Sequence, residues 1–153
     1  MTRTRTILGL VAALTTTLSL PALADNPAVN ARQAQFTLYS FNVGVLAQMA
    51  QGQMDYDAEM AQAAADNLYH LTRHDQSRLW PEGTDNESIA GTRALPAIWD
   101  DLEGFAGRYS ALQDAAAAMQ EAAGTDLASL QGALGGLGGT CQACHQEFRG
   151  PAE

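Results

Sequence analysis

Five residues near the C-terminus, Cys141-Gln142-Ala143-Cys144-His145, constrain this chain more than any other stretch. Thiols three positions apart fall about one turn apart on one face of a helix. From there both sulfurs can add to the two vinyl groups on one side of a porphyrin. The imidazole of the next residue is then carried beneath the ring, within reach of the iron. The spacing therefore reads as covalent attachment of a c-type haem. Other chemistries use only part of it. A thioredoxin-like Cys-x-x-Cys leaves His145 idle and needs a βαβ context that the chain lacks. A zinc site needs a further ligand, and the chain has only two cysteines. A disulfide between residues one helical turn apart is strained, although an exported helical scaffold closed by that bridge stays open as an alternative.

The N-terminus fits export. Arg3 and Arg5 precede a largely apolar run from Ile7 to Leu20, and Ala22-Leu23-Ala24 has the small-x-small pattern of a cleavage site. A signal peptide over residues 1–24 is expected, cleaved after Ala24, with one domain over 25–153. The apolar run is too short and threonine-rich for an anchor, and no later stretch is long enough to span a bilayer, so no membrane insertion of the mature chain is expected. Removing 24 of 153 residues leaves 129, enough for one ordinary core. Those residues carry six arginines, no lysine and seventeen acids, a formal charge of −11. Such a body repels nucleic acid and anionic lipid. It serves solubility first and could steer basic partners. In bacteria haem is linked after export, so signal and motif agree on the periplasm.

The rest reads as helices only, with no alternating Val/Ile/Thr run bounded by turns. A first helix starts near Asn26-Pro27 and runs to about Gln51, with Gly52 as its stop. Phe36, Tyr39, Val43, Leu46 and Met49 are its apolar set. Gly44 in mid-helix suggests close approach of a backbone or a flat ligand. A second helix is capped by Asp55 or Asp57, carries Met60, Ala64, Leu68, Leu71 and Leu79, and ends at Pro81. His70 and His74 stand at i, i+4, but a pair without a third ligand reads as solvated or capping. A long polar connection from Pro81 to Pro96 follows, with Ile98 and Trp99 buried where it rejoins the bundle. The third helix starts between Pro96 and Asp100, presents Leu102, Phe105, Tyr109, Leu112 and Met119, and ends at Gly124. The fourth is capped by Thr125. Its stripe is Leu127, Leu130, Leu134, Leu137, Cys141, Cys144 and Phe148, spaced like a bundle seam. Five glycines between Gly132 and Gly139 weaken it. The expectation is a helix held by packing and the cofactor, whose small residues let a porphyrin or a neighbouring helix come close. Four amphipathic helices around a cofactor give an all-α, antiparallel four-helix bundle with covalently bound haem.

The whole mature chain resembles the cytochrome c′ family. The motif lies near the C-terminus, Arg32-Gln33 lies in the first helix, Pro96-Ala97-Ile98-Trp99 opens the third, and Arg149 follows His145 by four residues. The resemblance implies one haem c per chain, with thioethers to Cys141 and Cys144 and His145 as the only protein ligand of iron. It places Arg32 and Gln33 beside a propionate, where a guanidinium fork suits a carboxylate, Thr92 and Arg93 at the haem edge, and Arg149 beside the proximal imidazole. Phe36 aligns with the distal position. Low-spin relatives have a methionine there; Phe36 cannot ligate, so a five-coordinate, high-spin iron is expected.

The resulting expectation is a periplasmic electron-transfer haem protein that binds small neutral gases such as NO and CO, with an unidentified redox partner. Without a distal hydrogen-bond donor, stable O₂ and anionic ligands are disfavoured. A bulky Phe36 slows entry, and the resemblance implies that NO can displace His145 and end on the proximal face. The alternative is a pure electron carrier without a gas-binding role. No enzyme is expected, since neither a carboxylate pair nor a distal acid–base pair stands out. Relatives commonly pair as homodimers through their first two helices, for which Tyr39, Val45, Met49 or Met60 could supply an apolar patch.

Overall fold

The computed structural model describes residues 26–151; the expected signal peptide and cleavage site lie outside them. The described residues form five helices: α1 (Pro27–Ala50), α2 (Ala58–Leu71), a single turn α3 (Ala97–Asp100), α4 (Leu102–Ala122) and α5 (Leu127–Phe148). Among the described residues there is no strand, only one isolated bridge between Ala94 and Arg149. The long helices form a closed square, α1 against α2, α2 against α4, α4 against α5 and α5 against α1. This is the expected four-helix bundle.

Each of the four long helices begins where a side chain can satisfy its free N–H groups. Asn26 accepts from the amides of Ala28 and Val29 and precedes Pro27. Asp57, not Asp55, caps α2 through the Met60 amide at 2.8 Å. Asp101 caps α4 through Gly104 N at 2.9 Å, which splits the expected third helix into α3 and α4. A Cβ at Gly104 would meet the Asp101 carboxylate, so a side chain there would make that carboxylate shift to keep the cap. Asp126, one residue after the expected Thr125, caps α5 through Ser129 N at 2.7 Å; Thr125 instead donates back to Glu121 O at 3.3 Å. Gly52 stops α1 in the left-handed region at φ +69°.

α2 ends at Leu71, eight residues before the expected Leu79. Its last carbonyls are taken by side chains instead of by another turn. Thr72 Oγ1 and Arg73 Nη1 donate to Tyr69 O at 3.1 Å each, while Tyr39 OH donates to Leu71 O at 3.0 Å. Beyond it, Asp75 accepts from Ser77 N at 2.8 Å and turns the chain away. His74 Nδ1 lies 2.8 Å from Leu71 O and its Nε2 3.0 Å from Gln76. No group of three metal-ligating side chains occurs among the described residues, so the His70/His74 pair stays without a third ligand.

The core has two parts. Leu46, Met49, Leu68, Met119, Leu130 and Leu137 fill the bundle, with Ala61, Ala64, Ala65 and Ala123 letting α2 and α4 approach. A second cluster, Ala94, Ile98 and Phe148 with Trp80, Trp99, Phe105 and Cys144 against it, lies where the 72–96 connection meets α5. Between α1, α2 and α4, Tyr39 OH is 3.0 Å from Tyr109 OH, and Gln35 Nε2 donates to both phenols. Burial raises the pKa of both tyrosines, and their mutual hydrogen bond raises that of Tyr109 further, so the pair stays protonated.

Two side chains assigned to the core by spacing, Met60 and Leu102, lie outward, and Phe36, 39% exposed, borders a cavity instead of the packed core. Gly44 approaches nothing; a Cβ there would meet no atom within 4 Å. The same holds for Gly132, Gly135, Gly136, Gly138 and Gly139. α5 is continuous, as expected, but no other helix among the described residues lies against its glycines.

Candidate haem site

The second core cluster is one wall of a cavity of about 490 Å³, within the range of roughly 300–1,000 Å³ usual for cofactor sites. α1 brings Arg32, Gln33 and Phe36; the connection brings Trp80, Thr92 and Arg93; α4 brings Phe105; α5 and its end bring Cys144, His145, Phe148 and Arg149. Sequence reasoning named Arg32, Gln33, Phe36, Thr92, Arg93, Cys144, His145 and Arg149, which come from three separated parts of the chain, and all line this one cavity. Cys141 lies one turn before Cys144, half-buried and outside the lining. Trp80 was missed; its only sequence signal is an aromatic residue just before Pro81 in a polar stretch. The wall roles of Phe105 and Phe148 were also not legible, because their spacing marks them only as helix-seam residues.

The aromatic rings form a continuous edge-to-face series. Phe36 meets Trp80 at 6.4 Å, Trp80 meets Phe105 at 4.8 Å and Phe105 meets Phe148 at 5.4 Å between centroids. Such contacts fix ring orientations and leave flat apolar faces for a ligand. The end of α5 is tied to the opposite wall. Leu95 N donates to Phe148 O at 3.0 Å and Gly150 N to Arg93 O at 2.8 Å, and Arg93 Nε donates to Gly150 O at 2.8 Å. Gln33 Nε2 donates to Gly91 O at 2.7 Å.

Cys141 and Cys144 are free thiols on successive turns of α5. Burial pushes both pKa values up, and for Cys144 the neighbouring Cys141 and Glu147 add to the rise. Arg149 Nη1 lies 3.4 Å from His145 Nδ1. Burial first, then the charges of Arg149 and Arg93, lower the pKa of His145. These causes favour the neutral imidazole, the form that can ligate a metal.

Thiols, imidazole, apolar rings and cations together suit a flat, apolar, iron-bearing group with an anionic edge. Three of the six arginines in residues 25–153 line this cavity, so the charge of an anionic group is matched there. Trp80 Nε1, on a lining residue, is the one buried side-chain nitrogen or oxygen among the described residues with no hydrogen-bond partner. An unmet buried donor costs about 1–3 kcal/mol, which a non-protein acceptor would relieve. The residues present fit haem.

Comparison with known proteins agrees. The family model described as Cytochrome C′ matches residues 27–149. A cytochrome c′ of Cereibacter sphaeroides is 42% identical over 142 residues, covering 92% of this chain and 95% of that protein. The solved cytochrome c′ from Rhodobacter spheriodes superposes with a TM-score of 0.80 at 42% identity, covering 82% of this chain and 96% of that one. A nitric oxide complex of a mutant cytochrome c prime from Alcaligenes xylosoxidans gives a TM-score of 0.70 at 33% identity, covering 81% and 94%. A carbon-monoxide-bound variant of the same protein gives 0.70 at 32%, with the same coverage. The chain belongs to the cytochrome c′ family, which carries haem c covalently, with Cys141 and Cys144 as its attachment residues.

Proposed function

We propose that the chain is a periplasmic electron-transfer cytochrome whose iron is held from one side by His145 and takes small neutral gases on the other. The haem supplies the iron, its Fe(II)/Fe(III) couple and an open coordination position. The observation that carries the reading is Phe36, a side chain with no ligating atom, on the wall of the cavity that also holds His145. The two arrive from different helices, α1 and α5. The aromatic wall excludes water and offers neutral diatomics an apolar path. Burial and two arginines favour the neutral form of His145. Arg32, Gln33, Thr92, Arg93 and Arg149 are assigned to the surroundings of the group and its carboxylates. The NO- and CO-bound relatives support gas binding. Phe36→Ala is expected to speed CO association with the ferrous protein by about tenfold or more, since about 1.4 kcal/mol of steric barrier corresponds to that factor. Stopped-flow mixing reads it; an unchanged rate would remove Phe36 from the entry path.

Export by residues 1–24 with cleavage after Ala24 is part of the same proposal. The family match opening at Pro27 supports it, and no helix among the described residues is long and apolar enough to cross a membrane.

Pairing as a homodimer is proposed through α1, with Val45 kept from the expected residues and Tyr39 and Met49 left out. Tyr39 and Met49 are buried in the bundle. Val45 is half-buried, and Met60 is exposed near the start of α2. Phe41 is 70% and Leu38 48% exposed, and with Val45 they follow a 3, 4 spacing along one face of α1. An apolar face this open suits a second copy. Sedimentation at micromolar concentration should show a dimer that Phe41→Glu converts to a monomer; a monomeric parent protein would refute it.

A further inference from the structure

Arg32 is the only arginine among the described residues that is fully buried, with 2% of its surface exposed. A buried guanidinium must spend its donors well, because each unmet N–H on a charged group is costly. Arg32 spends them on a single stretch of the 72–96 connection. Nη1 donates to Leu79 O at 3.4 Å and to Thr84 Oγ1 at 2.7 Å. Nη2 donates to the carbonyl of Thr84 and to Thr92 Oγ1 at 2.7 Å. A guanidinium has five N–H donors, and these contacts use four, leaving Nε–H.

The acceptors are themselves fixed. Thr84 Oγ1 donates to Pro81 O at 2.7 Å, and Thr92 Oγ1 accepts from Ala94 N at 3.3 Å. Burial lowers the pKa of Arg32, and the nearby Asp85 charge opposes this. Asp85 is occupied in turn with Ser88 Oγ at 2.9 Å and the amides of Glu87 and Ser88 at 2.9 and 2.8 Å. The flat face of the guanidinium lies 4.9 Å from the centre of the Trp80 ring, whose edge-to-face partners are Phe36 and Phe105.

We propose that Arg32 is a positioning residue: beyond the charge it brings to the haem surroundings, it pins residues 79–92 and the Trp80 ring, and so sets the cavity wall that Phe36 packs against. The chain of contact runs from Thr84 and Thr92 to Arg32, from Arg32 to Trp80, and from Trp80 to Phe36. It rests on the reading of Phe36 as the residue facing the open side of the iron. Lysine keeps the charge of arginine but has no planar fork that can span Leu79, Thr84 and Thr92 at once.

The test uses the holoprotein with Arg32→Lys, Arg32→Gln and the milder Thr92→Val, which removes one acceptor and leaves every charge in place. Amide hydrogen exchange over residues 79–92, the CO association rate of the ferrous form and the reduction potential are measured for each. The expected result is exchange over 79–92 faster by about tenfold or more in both Arg32 variants, the size of losing one hydrogen bond to a charged group. The CO rate changes in the same direction in both, and the potential of Arg32→Lys matches the parent. Thr92→Val shows a smaller rise in exchange and the same direction of rate change, and it decides the matter if the Arg32 variants fail to accumulate. Parent-like exchange and CO rate in Arg32→Lys, with a shifted potential only in Arg32→Gln, would overturn the proposal, because charge alone would then suffice. Phe36→Ala separates the two readings. If it leaves CO association unchanged the distal assignment fails, while the exchange data still report whether Arg32 holds the loop.

Discussion

Alanine in place of Gly135, Gly136, Gly138 and Gly139 together should raise the free energy of unfolding by about 3–4 kcal/mol, from roughly 0.8–1.0 kcal/mol of helix propensity at each site. All four lie inside α5, are exposed, and would give a Cβ no atom to meet within 4 Å. The substitution therefore adds no clash and removes backbone freedom from the unfolded chain. For a domain of this size the midpoint of thermal unfolding should rise on the order of 10–15 °C. Urea denaturation of the holoprotein measures the free energy directly. A neutral or destabilising result would mean that the glycine face meets a partner surface, since nothing within the chain touches it. The helix persists despite these glycines because its opposite face is committed: Leu130 and Leu137 are fully buried.

The second large effect concerns the thiols. Cys141→Ala with Cys144→Ala should abolish covalent haem completely, and each single variant should lower the yield while keeping one thioether. The two thiols are the only cysteines in the chain, and they stand one turn apart on the helix that brings His145 to the cavity. A haem stain of a denaturing gel reads the outcome, because only covalent haem travels with the unfolded polypeptide. The doubly substituted protein should also be markedly less stable, because a group that binds only the folded state no longer adds its binding free energy to folding. A stained band from the double variant would show that attachment uses other residues.

Helix type and order were legible in the sequence because periodicity and punctuation agree: Asn26-Pro27 opens α1, Gly52 closes it, and the seam from Leu127 to Phe148 runs the length of α5. The motif was legible from its own spacing, and its cavity partners through their resemblance to a family, which no local pattern could supply for Arg32 or Thr92. What stayed hidden depends on tertiary contacts. The end of α2 is decided by Tyr39 OH reaching Leu71 O from another helix, and by Thr72 and Arg73 folding back. Helical spacing placed Phe36 in the core, although it borders the cavity. It also placed Leu102 there, which faces outward. Spacing gives the angle of a side chain around its own axis, not what lies opposite. The commitment of Arg32 to Thr84 and Thr92 spans more than fifty positions and leaves no trace in local sequence.

The account stands most directly on the visible spectrum of the mature protein, isolated from a host that attaches haem, taken in the ferrous state without added ligand and again after acid–acetone extraction. It predicts a haem that stays with the polypeptide and a five-coordinate, high-spin iron that changes on adding CO. A polypeptide without tetrapyrrole, or a six-coordinate, low-spin spectrum before any ligand is added, would contradict it.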